Sequence, residues 1–240
     1  SLGLAWNMHN ERFFDSNYLN RLKLKGSYGS NGNSRIGEQE AMGVYTFGDS
    51  YNYAGLPGAG MESSPNPQLS WETTYMTNLG VEMGAFDNRV NLEIEVYRNK
   101  TERLISNLDV SRTTGALRVY RNVGAIENRG IEATLNTVNW RAEDFKWTTT
   151  IMASHNRNKL LELFNDIPKN QGNRRWEVGE DSNAYYLIKW AGVDPRDGYP
   201  LWYDTAGNIT REYSAANRVV YKTSTPDLFG SIVNNLSYKN

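Results

Sequence analysis

The amino-acid sequence predicts an all-β fold, namely an antiparallel up-and-down meander that is part of a large transmembrane β-barrel with long extracellular loops. Three observations support this prediction. Apolar and polar residues alternate along several segments, the clearest segment exceeds the roughly 9–11 residues that a tilted membrane-spanning strand needs, and the connections alternate between short and long. The chain of 240 residues has no apolar run of about 18 residues, so transmembrane helices are not predicted.

The first two predicted strands cover residues 2–6 and 21–28, and a short connection joins them. In the second strand, apolar and small residues alternate with polar ones, as expected of a strand whose side chains point to opposite faces. The apolar set is Leu22, Leu24, Gly26 and Tyr28, and the polar set is Arg21, Lys23, Lys25 and Ser27. A long connection, residues 30–68, follows.

The third and fourth predicted strands, residues 71–85 and 90–99, form a hairpin around a tight turn at residues 86–89. The apolar face of the third strand reads Trp71, Thr73, Tyr75, Thr77, Leu79, Val81, Met83 and Ala85. The fourth strand continues this face with Val90, Leu92, Ile94 and Val96. At 15 residues the third strand is far longer than the average strand of about 5–6 residues.

Three further strands are predicted at residues 131–137, 145–154 and 228–238, which makes about seven in all. A short connection separates the first two of these, whereas residues 105–127 and 157–225 form long connections. Alternating short and long connections are typical of outer-membrane barrels, which have short turns on one side and long loops on the other.

The alternation also assigns each side chain to a face of the predicted barrel. We expect one set to face lipid: Leu79, Val81, Val90, Leu92, Ile94, Leu135 and Ile151. We expect another set to face the lumen: Glu82, Glu93, Glu95, Glu132 and Thr150. A shift of one residue in the register of any strand would exchange its two faces, so the assignment is sharply testable.

The longest connection contains two further predicted elements. Turn residues at 197–198 and 206–208 flank residues 199–203, which indicates a small hairpin standing outside the membrane. Residues 160–164 are predicted to form a short helical turn.

Composition argues against most catalytic and cofactor chemistry. The chain has no cysteine and only His9 and His155, which are far apart in sequence, so neither thiol chemistry nor a histidine zinc site is expected. With 26 Lys and Arg against 27 Asp and Glu, no nucleic-acid partner is expected. Asp194, Asp197 and Asp204 lack the spacing of a calcium loop and suit turns better. We therefore expect no enzyme, no cofactor and no metal.

Aromatic residues are abundant, with 15 Tyr, 7 Trp and 7 Phe. The longest connection holds a set that is a candidate for substrate contact, because aromatic faces stack on sugar rings and on peptide side chains. This set is Trp176, Tyr185, Tyr186, Trp190, Tyr199, Trp202 and Tyr203. The alternative is that these rings form the core of their own long loop, which needs internal contacts to stay ordered.

Four sequence motifs resemble those of one known family. Residues 22–33 read LKLKGSYGSNGN, residues 66–74 read NPQLSWETT, residues 121–132 read RNVGAIENRGIE, and residues 191–195 read AGVDP with GYP at 198–200. In this order, and together covering most of the chain, they resemble the SusC/RagA-type TonB-dependent transporters.

The resemblance implies a barrel of about 22 strands, plugged by an N-terminal domain and driven by the TonB complex. It also implies a SusD-like surface lipoprotein as partner, outer-membrane lipid around the barrel, and oligosaccharides or oligopeptides as substrates. Residues 1–240 would then be a partial β-barrel domain from the C-terminal third, without the plug and the remaining strands. The alternative that the sequence leaves open is a soluble β-sandwich carbohydrate-binding module.

Overall fold

A computed structural model describes residues 1–34, 41–48 and 51–239. Its strands, in chain order, are β1 (Leu2–Asn7), β2 (Leu19–Asn33), β3 (Val44–Phe47), β4 (Ala59–Ser64), β5 (Glu72–Ala85), β6 (Val90–Glu102), β7 (Ile105–Asp109), β8 (Ala116–Asn122), β9 (Ala125–Arg141), β10 (Phe145–Glu162), β11 (Lys169–Gln171), β12 (Arg174–Trp176), β13 (Ala184–Ile188), β14 (Trp190–Val193), β15 (Pro200–Tyr203), β16 (Ile209–Thr210), β17 (Arg218–Thr223) and β18 (Phe229–Tyr238). Short 3₁₀ turns lie at Met8–Asn10, Arg112–Thr114, Phe164–Asp166 and Ala215–Asn217. Parts of the predicted connection 30–68, namely 35–40 and 49–50, lie outside the described residues, as does residue 240.

Seven long strands form one antiparallel sheet in the order β1-β2-β5-β6-β9-β10-β18. Each strand pairs with the next strand of the sheet along the chain, which confirms the predicted meander. The strands β2, β6 and β10 run in the same direction, so all three finish at the same end of the sheet. All three long connections therefore leave from that end. In the described part of the chain, no helix has the length and apolar character needed to cross a membrane.

The register of this sheet separates an apolar face from a polar face. Val81 lies opposite Ile94, and Leu92 lies opposite both Met83 and Leu135. On the other face, Glu82 lies opposite Glu93, and Glu95 lies opposite Glu132. Residues that are directly opposite each other share a face, so the two predicted sets do lie on opposite faces.

The apolar face is uncovered in this chain. Leu79 in the middle of the sheet is 57% exposed, and Ile232 on β18 is 69% exposed. Further large apolar residues on the same face are more than one-third exposed: Leu2, Leu4, Trp6, Leu24, Tyr28, Val96, Ile131, Ile151 and Leu236. The face is therefore a continuous apolar surface rather than half of a closed core.

The ends of several strands differ from the prediction. The sequence predicted a helical turn at 160–164, which is wrong, because β10 continues to Glu162 and the 3₁₀ turn begins only at Phe164. The reason is tertiary. Leu160 donates its N–H to Glu180 O and accepts from Gly179 N, both at 2.8 Å, so a distant segment supplies the backbone partners that an extended strand needs.

The three long connections fold into three small sheets on one side of the meander. The first two connections share a sheet of order β3-β4-β8-β7, in which β4 and β8 run parallel. The third forms the sheet β11-β12-β13-β17 and the meander β14-β15-β16, which contains the predicted hairpin. The buried apolar residues of the described chain lie in these sheets or at their junction with the long strands: Ala116, Val119, Ala125, Leu160 and Ala184.

Candidate functional site

Residues of the second and third sequence motifs join the first two long connections where these meet the long strands. The Asn122 side chain accepts from Ser70 N at 2.7 Å and donates to Ser70 O at 2.6 Å and to Arg103 O at 2.9 Å. Asn66 donates from its side chain to Tyr120 O at 2.8 Å. These motif residues therefore satisfy backbone groups at an irregular junction, which gives them a structural role.

The same motif also anchors the start of β9. Glu127 is 7% exposed, and it accepts from Arg98 on β6 at 2.6 and 2.7 Å. Gly124 has a φ of 119°, a conformation that disfavours a side chain, and its carbonyl accepts from Leu104 N. The motif thus fixes where the second long connection returns to the sheet.

Side-chain amides attach the third connection to the meander. Asn158 on β10 donates to Asn128 on β9 at 2.8 Å and accepts from Ser182 N at 2.9 Å. Together with the backbone bonds of Leu160, this chain of contacts holds the long third connection against the end of the sheet.

The structure divides the seven predicted aromatic residues into two groups. Trp176, Tyr185 and Tyr186 lie on β12 and β13, whereas the other four lie on or next to β14 and β15. In the second group, the rings of Trp190 and Trp202 meet edge to face with centroids 6.0 Å apart.

Tyr213 completes this second group, although the sequence analysis did not single it out. Its ring centroid lies 5.1 Å from that of Trp202. Tyr213 is 69% exposed, and Trp190, on the other side of the Trp202 contact, is 56% exposed. We call Trp190, Trp202 and Tyr213 the aromatic cluster. The sequence offered only a weak signal for Tyr213, namely one more aromatic residue in the same connection, because Tyr213 lies outside any strand.

Most of the remaining rings make contacts within their own loop. Trp176 donates its indole N–H to Ser182 O at 3.1 Å, and the guanidinium of Arg175 lies over Tyr186 at 4.7 Å. The Lys189 ammonium lies 5.1 Å from the centre of the Tyr203 ring. For these residues the structure favours loop packing, whereas Trp190 and Tyr213 of the aromatic cluster present exposed ring surface.

A buried carboxylate organises the hairpin that carries the cluster. Asp194 is 5% exposed and accepts from Arg196 at 2.8 and 3.0 Å and also from Arg211. The hydrogen bonds from Arg196, followed by that from Arg211, hold the pKa of Asp194 well below its usual range. Arg211 also pairs with Asp197 at 2.9 Å, so one guanidinium joins both carboxylates.

The other acidic residues of this region serve turns, as the sequence favoured. Asp197 accepts from Tyr199 N at 3.0 Å, and Asp204 accepts from Ala206 N at 2.9 Å and Asn208 N at 2.8 Å. These are bonds to backbone groups a few residues further on, which stabilise tight turns. Across residues 1–34, 41–48 and 51–239, no group of three or more His, Asp or Glu is arranged to hold a metal ion.

The polar face of the meander carries an ion-pair network across β2, β5 and β6. Lys25 on β2 reaches Glu93 at 2.5 Å and also pairs with Glu95, both on β6. It crosses β5 at Gly80, where an added Cβ would lie 2.5 Å from Lys25 Cε. Glu82 accepts from Lys23 at 3.2 Å and from Arg21.

A single antiparallel sheet, apolar on one face and polar on the other, with all long connections on one side, is the arrangement expected of the wall of an outer-membrane β-barrel. Residues 1–233 match the family described as TonB dependent receptor-like, beta-barrel. The chain belongs to this family, which consists of transporters and receptors rather than enzymes. The alternative of a β-sandwich is wrong, because the long strands pair in one sheet and not in two facing sheets.

Curated relatives agree with this assignment. The chain is 32% identical to a TonB-dependent receptor of Formosa agariphila over 264 residues, covering 100% of this chain and 26% of that protein. It is 26% identical to the TonB-dependent receptor SusC of Bacteroides thetaiotaomicron, again over 100% of this chain and 26% of SusC. Members of this family, SusC among them, are outer-membrane proteins. The chain therefore spans about a quarter of the length of these relatives.

Solved structures show the same fold. A structure of the RagAB peptide transporter matches with a TM-score of 0.84 and 28% identity, covering 99% of this chain and 27% of that chain. The open-open state of the RagAB peptide importer matches with a TM-score of 0.87 and 29% identity, over 99% of this chain and 26% of that chain. The resemblance to SusC/RagA-type transporters is thus confirmed.

Proposed function

We propose that this chain forms part of the barrel wall and of the extracellular loops of an outer-membrane TonB-dependent importer for oligosaccharides or oligopeptides. The observation that carries this proposal is the separation of the seven-stranded sheet into an apolar and a polar face. Lipid covers the face of Leu79, Val81 and Ile94, and the face of Glu82 and Glu93 borders the lumen.

The proposed partners are those that the similarity to SusC/RagA-type transporters implies. The TonB complex acts through a plug region, and a SusD-like surface lipoprotein covers the loops. The small sheets built from the long connections then lie between the lipoprotein and the lumen, on the path of an incoming substrate.

Within these loops, the predicted substrate contacts are concentrated in the aromatic cluster. Exposed indole and phenol faces offer apolar area with little loss of side-chain entropy, so they suit sugar rings and peptide side chains alike. Trp176 and Tyr186 contribute indirectly by holding the loop in shape.

Growth and uptake test this function. Deleting the gene in its own host should abolish growth on at least one member of a panel of oligosaccharides and oligopeptides supplied as sole carbon source, and complementation should restore it. In the complemented strain, Trp190→Ala should weaken uptake of that substrate by about three- to tenfold at limiting concentration, because the stacking surface of an exposed indole is lost.

The matched control is Trp140→Ala, an exposed tryptophan at the opposite end of the sheet from the loops. It should leave uptake unchanged at equal protein levels. Unaltered growth of the deletion strain on every member of the panel would contradict the proposed function.

A further inference from the structure

A cavity of about 470 Å³ lies between the second and the third long connection. Its walls come from β7, β8, the 3₁₀ turn at Arg112–Thr114 and Lys169 on β11. It is separate from the aromatic cluster. Val110 and Leu117 are the apolar residues of its lining. Two loops of a transporter mouth thus meet around one open space.

Positive charge dominates this cavity. Three basic residues line it, namely Arg112, Arg118 and Lys169, and Asp109 supplies the one carboxylate among the described lining residues. Arg118 pairs with Glu62 at 3.0 Å, and both of these side chains are 37% exposed. Lys169 donates to a backbone carbonyl at 2.6 Å, and neither Lys169 nor Arg112 forms an ion pair within the described part of the chain.

Asn107 lines the same cavity, and its side chain carries a buried hydrogen-bond acceptor. Its Oδ1 has no hydrogen-bond partner among the described residues, and such buried unpaired atoms are rare because they cost free energy. A ligand that donates a hydroxyl proton would satisfy it. An anion alone would not, since anions only accept hydrogen bonds.

The edge of β7 next to the cavity is closed to an added strand. The Asn107 carbonyl is occupied by Lys169 Nζ, and Ile105 N donates to Glu72 Oε1 at 2.9 Å. A peptide that recognises a protein by strand addition needs these edge groups to be free. The cavity is therefore suited to a ligand that is recognised through its charge and hydroxyl groups and not through strand addition.

We propose that this cavity binds a carboxylate-bearing sugar, that is, a uronate unit of an oligosaccharide. The carboxylate accepts from Arg112 and Lys169, which come from different connections, and a ring hydroxyl donates to Asn107 Oδ1. This inference rests on the proposed function and narrows its substrate class to acidic oligosaccharides.

Binding of trigalacturonate to the full-length protein in detergent tests this inference. Arg112→Gln and Lys169→Gln should each weaken binding about tenfold, as expected for loss of a hydrogen bond to a charged group, and should flatten its dependence on salt. Asn107→Leu should weaken binding without changing the salt dependence, because it removes only the acceptor. Lys222→Gln, an exposed lysine on β17 away from the cavity lining, should have no effect.

The other probes separate the possible failures. If a neutral cello-oligosaccharide binds or is imported while trigalacturonate does not bind, the proposed function stands and the acidic site is wrong. If triglutamate binds with the same sensitivity to Arg112→Gln, the ligand is an acidic peptide and the sugar assignment is overturned. If neither class of oligomer binds or supports growth, the proposed function fails as well.

Discussion

At the scale of single residues, glycines on the long strands let side chains from neighbouring strands lie across them. Lys25 crosses Gly80, and Tyr97 crosses Gly130 to bond Asn156 at 3.0 Å. Both glycines lie directly opposite the residue that covers them. Their value lies in the space left by the missing Cβ, since neither has a positive φ.

Gly80→Ala tests whether Gly80 exists to admit Lys25. The added Cβ would lie 2.5 Å from Lys25 Cε, so the lysine must leave Glu93 and Glu95, and we expect a loss of about 1–3 kcal/mol in the free energy of unfolding from bilayers. In a Lys25→Ala background the same change should be nearly neutral. A cost that persists without the lysine would show that the backbone itself requires glycine.

The assignment of faces gives a second prediction at this scale. Ile94→Arg should cost about 2–4 kcal/mol in a bilayer refolding titration, because it places a charge on the lipid face near the middle of β6. The neighbouring change Glu93→Arg should be far milder, since Glu93 lies on the polar face. Equal costs for the two variants would mean that the faces are misassigned.

At the scale of elements, the hairpin of β14 to β16 is held by charges rather than by a core. Trp190 on β14 and Ile209 on β16 are more than half exposed, whereas Asp194 is buried between Arg196 and Arg211. Polar contacts therefore supply the order that the aromatic cluster needs. This makes the hairpin sensitive to the ionisation of one carboxylate.

The hairpin should consequently open in acid. Because the pKa of Asp194 is lower in the folded than in the unfolded chain, its contribution is fully present above the ordinary value of about 3.9 and is lost as the pH falls further. Hydrogen exchange corrected for intrinsic rates should show protection at residues 190–210 that is flat from pH 7 to about 4 and declines below it.

In Asp194→Asn, the hydrogen-exchange protection of residues 190–210 should already be low at neutral pH and should not decline further in acid. Asp15→Asn, in the exposed connection between β1 and β2, should match the unaltered chain throughout. Protection that falls in parallel in all three proteins would mean that acid acts elsewhere.

At the scale of the whole molecule, the meander has two free ends. Among the described residues, the strands β1 and β18 each pair on one side only, and every residue in these two strands is exposed. Seven strands cannot close around a lumen of the size that the family implies, because barrel diameter grows with strand number. Unpaired edges and an uncovered apolar face both favour association.

We therefore expect the isolated chain to associate in detergent-free buffer and to be dispersed by detergent. Sedimentation velocity measures the first effect, and amide exchange in β1 and β18 reports whether the edges become paired. A monodisperse monomer without detergent, with strongly protected amides in both terminal strands, would contradict this expectation.

The sequence by itself determined the seven long strands, their order and the two faces of the sheet. These features follow from local rules: side chains alternate along a strand, and short turns pair neighbouring strands. Residues such as Leu92 and Glu93 could be assigned to opposite faces without any knowledge of distant contacts.

Only the tertiary structure decided how the long connections fold. The parallel pairing of β4 with β8, the extension of β10 through Leu160 and the contact of Trp202 with Tyr213 each join segments that are distant in sequence or irregular in conformation. The cavity between Asn107 and Lys169 likewise exists only because two connections meet. Such contacts depend on where separate loops are brought together, and an alternation pattern within one segment carries no information about that.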